Sequence, residues 1–205
     1  MVDGTRTLGF RLLPAYLEGS RLARLLAELR QVMDEAPPFR PTMPVSGVPF
    51  SVMMTNAGPL GWLSDRAGYR YAPRHPETGR SWPPIPPTVL AIWREVADYR
   101  ADPEACLVNI YKAGIRMGLH QDRDEEALDA PVVSISLGDT ALFRLGGPNR
   151  RDPTRSLRLA NGDVVVLAGQ SRMAFHGIDR ILPGTSRLLP EGGRINLTLR
   201  RVTRP

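Results

Sequence analysis

His120 and Asp122 stand two residues apart in the run Leu119-His120-Gln121-Asp122. In an extended segment, residues i and i+2 point to the same side with Cα atoms about 6.6 Å apart, so an imidazole and a carboxylate can reach one ion. A third ligand must come from elsewhere in the chain, and His176 is the best candidate. Two imidazoles and one carboxylate suit Fe(II) and leave coordination positions open for a co-substrate and oxygen. The pair alone is a weak motif, because such residues also meet by chance on surfaces. It gains weight from the segment Arg194–Arg200, where Ile195, Leu197 and Leu199 alternate with Arg194, Asn196, Thr198 and Arg200. If that polar face looks into a barrel, its cations require anionic partners. Asn109 and Tyr111 are likewise two apart on one strand face. Together these groups could hold a small dicarboxylate through charge-assisted and phenolic hydrogen bonds.

The elements that must position these residues are readable in outline. Leu8-Gly9-Phe10 and Leu12-Leu13 suggest an opening strand. Ser20 is the expected N-cap of a helix whose stripe is Leu22, Leu25, Leu26, Leu29 and Met33, with Pro37 and Pro38 stopping it. Residues 37–87 are rich in proline and can be neither a regular helix nor a central strand. That stretch interleaves Phe50, Trp62, Tyr69, Tyr71 and Trp82 with Arg66, Arg70, Arg74 and Arg80. Such a mixture can stack on bases and hold phosphates, or form a satellite core that pins long loops. Tyr69 and Tyr71 would share one strand face. His75, beside Pro76, reads as an exposed loop residue.

A second helix is expected from Thr88 to about Arg100, with Leu90, Trp93, Val96 and Ala97 inward. A soft boundary near residue 105 separates N-terminal helices and loops (1–105) from a strand-rich core (106–205), the two forming one compact unit. Strands are expected at 106–111, 132–137, 141–145, 156–159, 164–168, 172–175 and 195–199, with glycine-containing turns between them. Short strands at this spacing indicate a mainly β fold with flanking helices, and a jelly roll is the version whose interior can hold a metal and a small ligand.

Composition bounds the function classes. The chain has 205 residues, enough for one domain with a sizeable core. Its single cysteine, Cys106, excludes an internal disulfide and a zinc-finger framework. The first nineteen residues contain no continuous apolar stretch, and no run is long enough to span a membrane, so the expected address is the cytoplasm. The formal net charge is +6, and Lys112 is the only lysine among 27 basic residues. A basic, arginine-rich chain suits a polyanionic partner.

Several segments together resemble the AlkB family of Fe(II)- and 2-oxoglutarate-dependent dioxygenases. They are L-V-N-I-Y at 107–111, L-H-Q-D-R-D-E at 119–125, V-S-I-S-L-G at 133–138, G-D-V-V-V at 162–166, S-R-M-A-F-H-G-I at 171–178 and R-I-N-L-T-L-R at 194–200. Upstream, M-T-N-A-G-P-L-G-W at 54–62 and G-Y-R-Y-A-P at 68–73 look like that family's nucleotide-recognition lid. The resemblance implies a double-stranded β-helix (jelly-roll) core with an N-terminal lid. It implies that His120, Asp122 and His176 bind Fe(2+) as the catalytic centre. Arg194 would pair with the distal carboxylate of 2-oxoglutarate, helped by Asn109, Tyr111 and Asn196, with Arg200 nearer the metal-bound end. Trp62, Tyr69, Arg70, Tyr71, Asp124 and Arg150 match substrate-contacting positions. Leu167 stands where an aromatic is common, and Pro190–Gly193 departs from the usual approach to the arginine strand.

The implied activity is oxidative demethylation of N-alkylated bases such as 1-methyladenine and 3-methylcytosine. It would use O2 and release formaldehyde, succinate and carbon dioxide. The implied partner is DNA, single-stranded or with a flipped base, with RNA as the alternative polymer, and the enzyme would act as a monomer. Two other readings stay open on sequence: a related oxygenase acting on a protein or small molecule, and a non-enzymatic nucleic-acid binder.

Overall fold

The structure, a computed structural model, describes residues 9–205; Leu8 of the expected opening strand lies outside them. Twelve strands and two helices follow in the order β1 (Phe10–Leu13), α1 (Gly19–Glu35), β2 (Met53–Ala57), β3 (Gly61–Asp65), β4 (Gly68–Ala72), α2 (Pro87–Val96), β5 (Ala105–Tyr111), β6 (Met117–His120), β7 (Val132–Gly138), β8 (Thr140–Leu145), β9 (Arg155–Leu159), β10 (Val164–Leu167), β11 (His176–Leu182) and β12 (Arg194–Arg200). The major sheet has the order β1-β10-β7-β12-β5-β2, the minor sheet β6-β11-β8-β9, and β3 and β4 form a separate hairpin. All the strand pairs are antiparallel. The result is a mainly β jelly roll flanked by helices. Strands β1 and β2, which precede residue 105, hydrogen-bond within the major sheet.

The alternation in β12 explains why the sheet has one apolar and one chemical side. Ile195, Leu197 and Leu199 join Leu25, Leu29 and Val32 of α1 and Val89, Ile92, Trp93 and Val96 of α2 in one core. The opposite row, Arg194, Asn196, Thr198 and Arg200, lines the cavity between the sheets. A second core, including Phe10, Met54, Leu107, Phe143, Leu145, Val165 and Ile178, fills the rest of that interior. Cys106 is fully buried in the helix-facing core, where burial pushes its thiol up to about 12.

Both helices differ from expectation at their ends. In α1, Glu18 holds the N-cap position and Ser20 lies inside the helix; no side chain caps it. The inward stripe closes on Val32 rather than Met33, and Ala36 donates to the Val32 carbonyl at 2.8 Å before Pro37. Helix α2 stops at Val96, short of Arg100, because Asp98 adopts a left-handed φ of 51°. Its uncapped start is served from α1, since Glu28 accepts from the Thr88 backbone at 3.2 Å and the Thr88 hydroxyl at 2.9 Å.

The expected strand at 172–175 is absent. Gly169–Ser171 forms a single 3-10 turn, and Arg172 and Ala174 donate back to Gly169 and Ser171. The strand begins instead at His176. The alternation of Arg172-Met173-Ala174-Phe175 reads as a strand locally, but here it serves to turn Arg172 inward. His75 is also corrected: it is 2% exposed, wedged against Phe39 and Trp82 with Nε2 2.8 Å from the Pro37 carbonyl. It therefore belongs to the small core under the β3–β4 hairpin that contains Ala36, Phe39, Leu63 and Trp82.

Candidate active site

The two sheets meet around a cavity of about 670 Å³. His120 closes β6 and His176 opens β11, and the two pair directly in the minor sheet. Gly177 makes this approach close. A Cβ there would lie 2.6 Å from the Met117 carbonyl oxygen and 2.8 Å from that of Gly118. The imidazole centroids are 4.6 Å apart. Asp122 stands in the loop two residues past His120, and one ligand atom from each of the three lies within 4.8 Å of the others.

Each imidazole is oriented by a backbone carbonyl. His120 Nδ1 sits 2.9 Å from the Gly118 oxygen, and His176 Nδ1 3.0 Å from that of Ala174. A carbonyl only accepts, so Nδ1 is the donor in each ring and Nε2 is the nitrogen turned toward the third ligand. The Nε2 atoms lie 3.9 and 3.7 Å from the two oxygens of Asp122. Burial, then the neighbouring His120, push the His176 imidazole down to about 4, so it is neutral near pH 7. Burial alone would raise the Asp122 carboxyl, but Arg200, followed by His176, His120 and Arg172, holds it well below the usual carboxylate range.

The donor set fits a divalent cation. Asp122 Oδ2 is buried with no hydrogen-bond partner among the described residues, while Oδ1 accepts from Arg200 Nη2 at 2.7 Å. One oxygen is tied back and the other is left for an ion. Two imidazoles and one carboxylate are the set expected for Fe(II).

At the far end of the β12 row, Arg194 is 1% exposed. Its contacts are neutral: Ser136 Oγ at 2.7 Å and the Leu159 and Asp139 carbonyls at 3.2 and 3.4 Å. Its Nε is buried without a partner, and no ion pair reaches it among the described residues. Burial lowers its pKa to about 10, which leaves it charged. A desolvated guanidinium with no ion-pair partner among the described residues calls for an anionic ligand. Tyr111 and Asn109, register partners of Arg194 and Asn196 on β5, stand beside it, and Asn109 Oδ1 also lacks a partner. Asn196 is anchored to Ser134 Oγ at 2.7 Å and the Ile135 carbonyl at 3.0 Å.

The mouth of the cavity carries aromatic and charged groups. Trp62 on β3 stacks on Tyr69 of β4, with centroids 5.7 Å apart and planes 18° from parallel. The Trp62 indole donates to Asp124 Oδ2 at 2.9 Å. Arg150 lies over Phe175 and donates to the Leu119 carbonyl at 2.9 Å. Two of the expected substrate residues stand apart from the cavity lining. Arg70 forks onto Asp65 within the hairpin, both bonds 2.7 Å. Tyr71 points into the protein and donates to Glu125 Oε1.

Sequence reasoning missed Glu125 and Arg172. Arg172 donates to Glu125 Oε2 and the Ala130 carbonyl, at 2.9 and 2.8 Å, and also to the Asp122 backbone carbonyl. Glu125 is hidden in an acidic run that looks solvated. The only signal was an arginine four residues before His176.

A jelly roll with the His120–Asp122–His176 cluster between its sheets defines a class, and residues 9–200 match the 2OG-Fe(II) oxygenase superfamily. The chain is 58% identical to the alpha-ketoglutarate-dependent dioxygenase AlkB homolog of Caulobacter vibrioides, over 95% of this chain and 88% of that one. It is 41% identical to the alpha-ketoglutarate-dependent dioxygenase AlkB of Escherichia coli, over 87% and 84% of the two. Among solved structures, OsALKBH1 superposes with a TM-score of 0.77 at 30% identity, covering 94% of this chain and 96% of that one. The chain belongs to the AlkB family. It is a 2-oxoglutarate-dependent dioxygenase whose cofactors are Fe(2+), 2-oxoglutarate and O2.

Proposed function

We propose that this enzyme oxidatively demethylates N-alkylated bases, 1-methyladenine and 3-methylcytosine, in DNA and also in RNA. The observation that carries the reading is one continuous cavity. It runs from the stacked Trp62–Tyr69 pair and Asp124, past His120, Asp122 and His176, to the unpaired Arg194. That order matches a base at the mouth, an oxidising centre in the middle and a dicarboxylate beyond it. Iron with 2-oxoglutarate and oxygen supplies the hydroxylation of a C–H bond, the co-substrate leaving as succinate and carbon dioxide.

The protein's own residues bind and orient. Arg194, Tyr111, Asn109 and Asn196 hold the distal carboxylate of the co-substrate. Arg200 holds Asp122 through Nη2 and keeps Nη1, buried and without a partner, for the metal-bound end. Trp62 and Tyr69 offer a π-face to the base, and Asp124 accepts from its exocyclic amine. Bases methylated at these positions are cations, which a π-face and a carboxylate both attract. Their reacting atoms lie on the pairing edge, so the nucleotide must be single-stranded or flipped. A hydroxylated N-methyl group collapses to formaldehyde and the unmodified base. The reading extends to a monomer working in the cytoplasm; no helix among the described residues is long and apolar enough to cross a membrane.

The test is incubation of an oligonucleotide carrying a single 1-methyladenine with enzyme, Fe(II), 2-oxoglutarate and air. Mass spectrometry should find loss of one methyl group with equimolar formaldehyde and succinate. Succinate formation that ignores every methylated oligonucleotide would instead favour a protein or small-molecule substrate.

A further inference from the structure

The hairpin at the mouth is attached to the metal-ligand loop at two consecutive residues. Trp62 on β3 and Tyr71 on β4 are register partners. The Trp62 indole donates to Asp124, and the Tyr71 hydroxyl donates to Glu125. Glu125 is not a surface residue: it is 6% exposed, like Arg200, with Asp122 at 7% and Arg172 at 3%. These two carboxylates and two guanidiniums form one buried cluster. Arg172 grips Glu125 Oε2 at 2.9 Å and also the Asp122 carbonyl. Arg200 Nη2 grips Asp122 Oδ1 at 2.7 Å, while its Nε lies 3.4 Å from Glu125 Oε1, the same oxygen that accepts from Tyr71.

The hairpin's hydroxyl and the β12 guanidinium thus converge on one carboxylate oxygen. While Tyr71 occupies Glu125 Oε1, Arg200 makes its short bond to Asp122. Without the Tyr71 proton, Glu125 Oε1 is left to compete for Arg200, in a buried site where such competition is strong. We propose that Tyr71 and Glu125 are positioning residues, a relay through which the hairpin sets the pose of the Asp122 carboxylate. The substrate side of this inference rests on the reading that a base stacks on Trp62 and Tyr69. A base seated there moves the hairpin's two anchor points, and with them the free oxygen of Asp122.

The relay is tested on the full-length metal-free protein with Mn(II) alone as the probe, free Mn(II) being read by electron paramagnetic resonance. Tyr71→Phe removes one hydroxyl that lies outside the metal cluster. It should weaken Mn(II) binding about 3–10-fold while the melting temperature of the metal-free protein stays within a few degrees. Glu125→Gln, which leaves the shape but removes the charge that holds both arginines, should weaken it more, roughly 10–100-fold. Unchanged Mn(II) affinity in a folded Tyr71→Phe protein overturns the relay. If that variant does not fold, unchanged affinity in Glu125→Gln overturns it equally.

A second arm adds the 1-methyladenine oligonucleotide. It should tighten Mn(II) binding to the unaltered protein, and the tightening should vanish in Tyr71→Phe, since coupling between two sites is reciprocal. Equal tightening in both proteins also counts against the relay. Failure of the oligonucleotide to bind the unaltered protein counts against the substrate reading, and the metal-only arm then still decides the inference.

Discussion

Asp122 has its two oxygens in different hands, Oδ1 with Arg200 and Oδ2 toward the histidines. Asp122→Ala should abolish turnover, because it removes the anionic ligand, while the far-ultraviolet circular dichroism of the fold persists, because Arg200 keeps Glu125 as a partner; retained iron-dependent turnover would refute the assignment. Arg194→Ala should raise the KM for 2-oxoglutarate by 10-fold or more, about 1.5–3 kcal/mol for a lost charged hydrogen bond. An unchanged KM would move the distal carboxylate to another residue. Asp124 is engaged by Trp62 through Oδ2 only. Asp124→Asn keeps an acceptor for the indole and removes the charge. It should therefore lower kcat/KM for cationic 1-methyladenine more than for neutral 3-methylthymine, and an equal loss on both would mean that Asp124 does not read the charge of the base. The triad was legible in the sequence because histidine is scarce here, with only three in the chain, and because a ligand pair two apart has a geometric meaning. Glu125 was not, because a buried acid within a run of acids looks the same as a solvated one until Arg172 and Tyr71 are seen to meet it.

Strand β12 was legible for a related reason: a period-two pattern states which face is apolar, and both faces are now accounted for. The turn that feeds it was not. Asp139 is 2% exposed and ties the segment before Arg194, accepting from Gly193 at 2.9 Å and Ser186 at 3.0 Å. No local pattern announces a contact spanning more than fifty residues. Burial opposes ionisation of Asp139, but the backbone N–H groups of Gly193, Ser186, Gly184 and Thr185 outweigh it and hold its pKa below the ordinary value. A carboxyl depressed in the folded state contributes stability above its unfolded pKa, about 3.9, and loses it as pH falls through the folded value. The melting temperature of Asp139→Asn should therefore lie below wild type at pH 7, by about 1–3 kcal/mol of stability. The gap should close as both are acidified below about pH 4. A gap that is constant with pH would assign the loss to geometry rather than charge.

Across the whole molecule the charge is +6, and Arg123 and Arg150 stand exposed at the mouth of the cavity. Binding of a methylated single strand should weaken linearly in log affinity with log salt. Arg150→Ala should reduce that slope by about 0.7 if the side chain meets a phosphate. An unchanged slope would confine Arg150 to its contacts with Phe175 and Leu119. The order of the major sheet carries one more consequence. The strand latest in sequence, β12, lies between β5 and β7 rather than at an edge. Until it inserts, two strands face each other across a gap, and Asp122 lacks the arginine that arrives 78 residues after it. His120, Asp122 and His176 all precede β12 in the chain, so the three are made before the strand that completes their surroundings. The pose of the Asp122 carboxylate is thus set only when the closing strand is seated, which ties the finished geometry of the centre to the last step of sheet assembly.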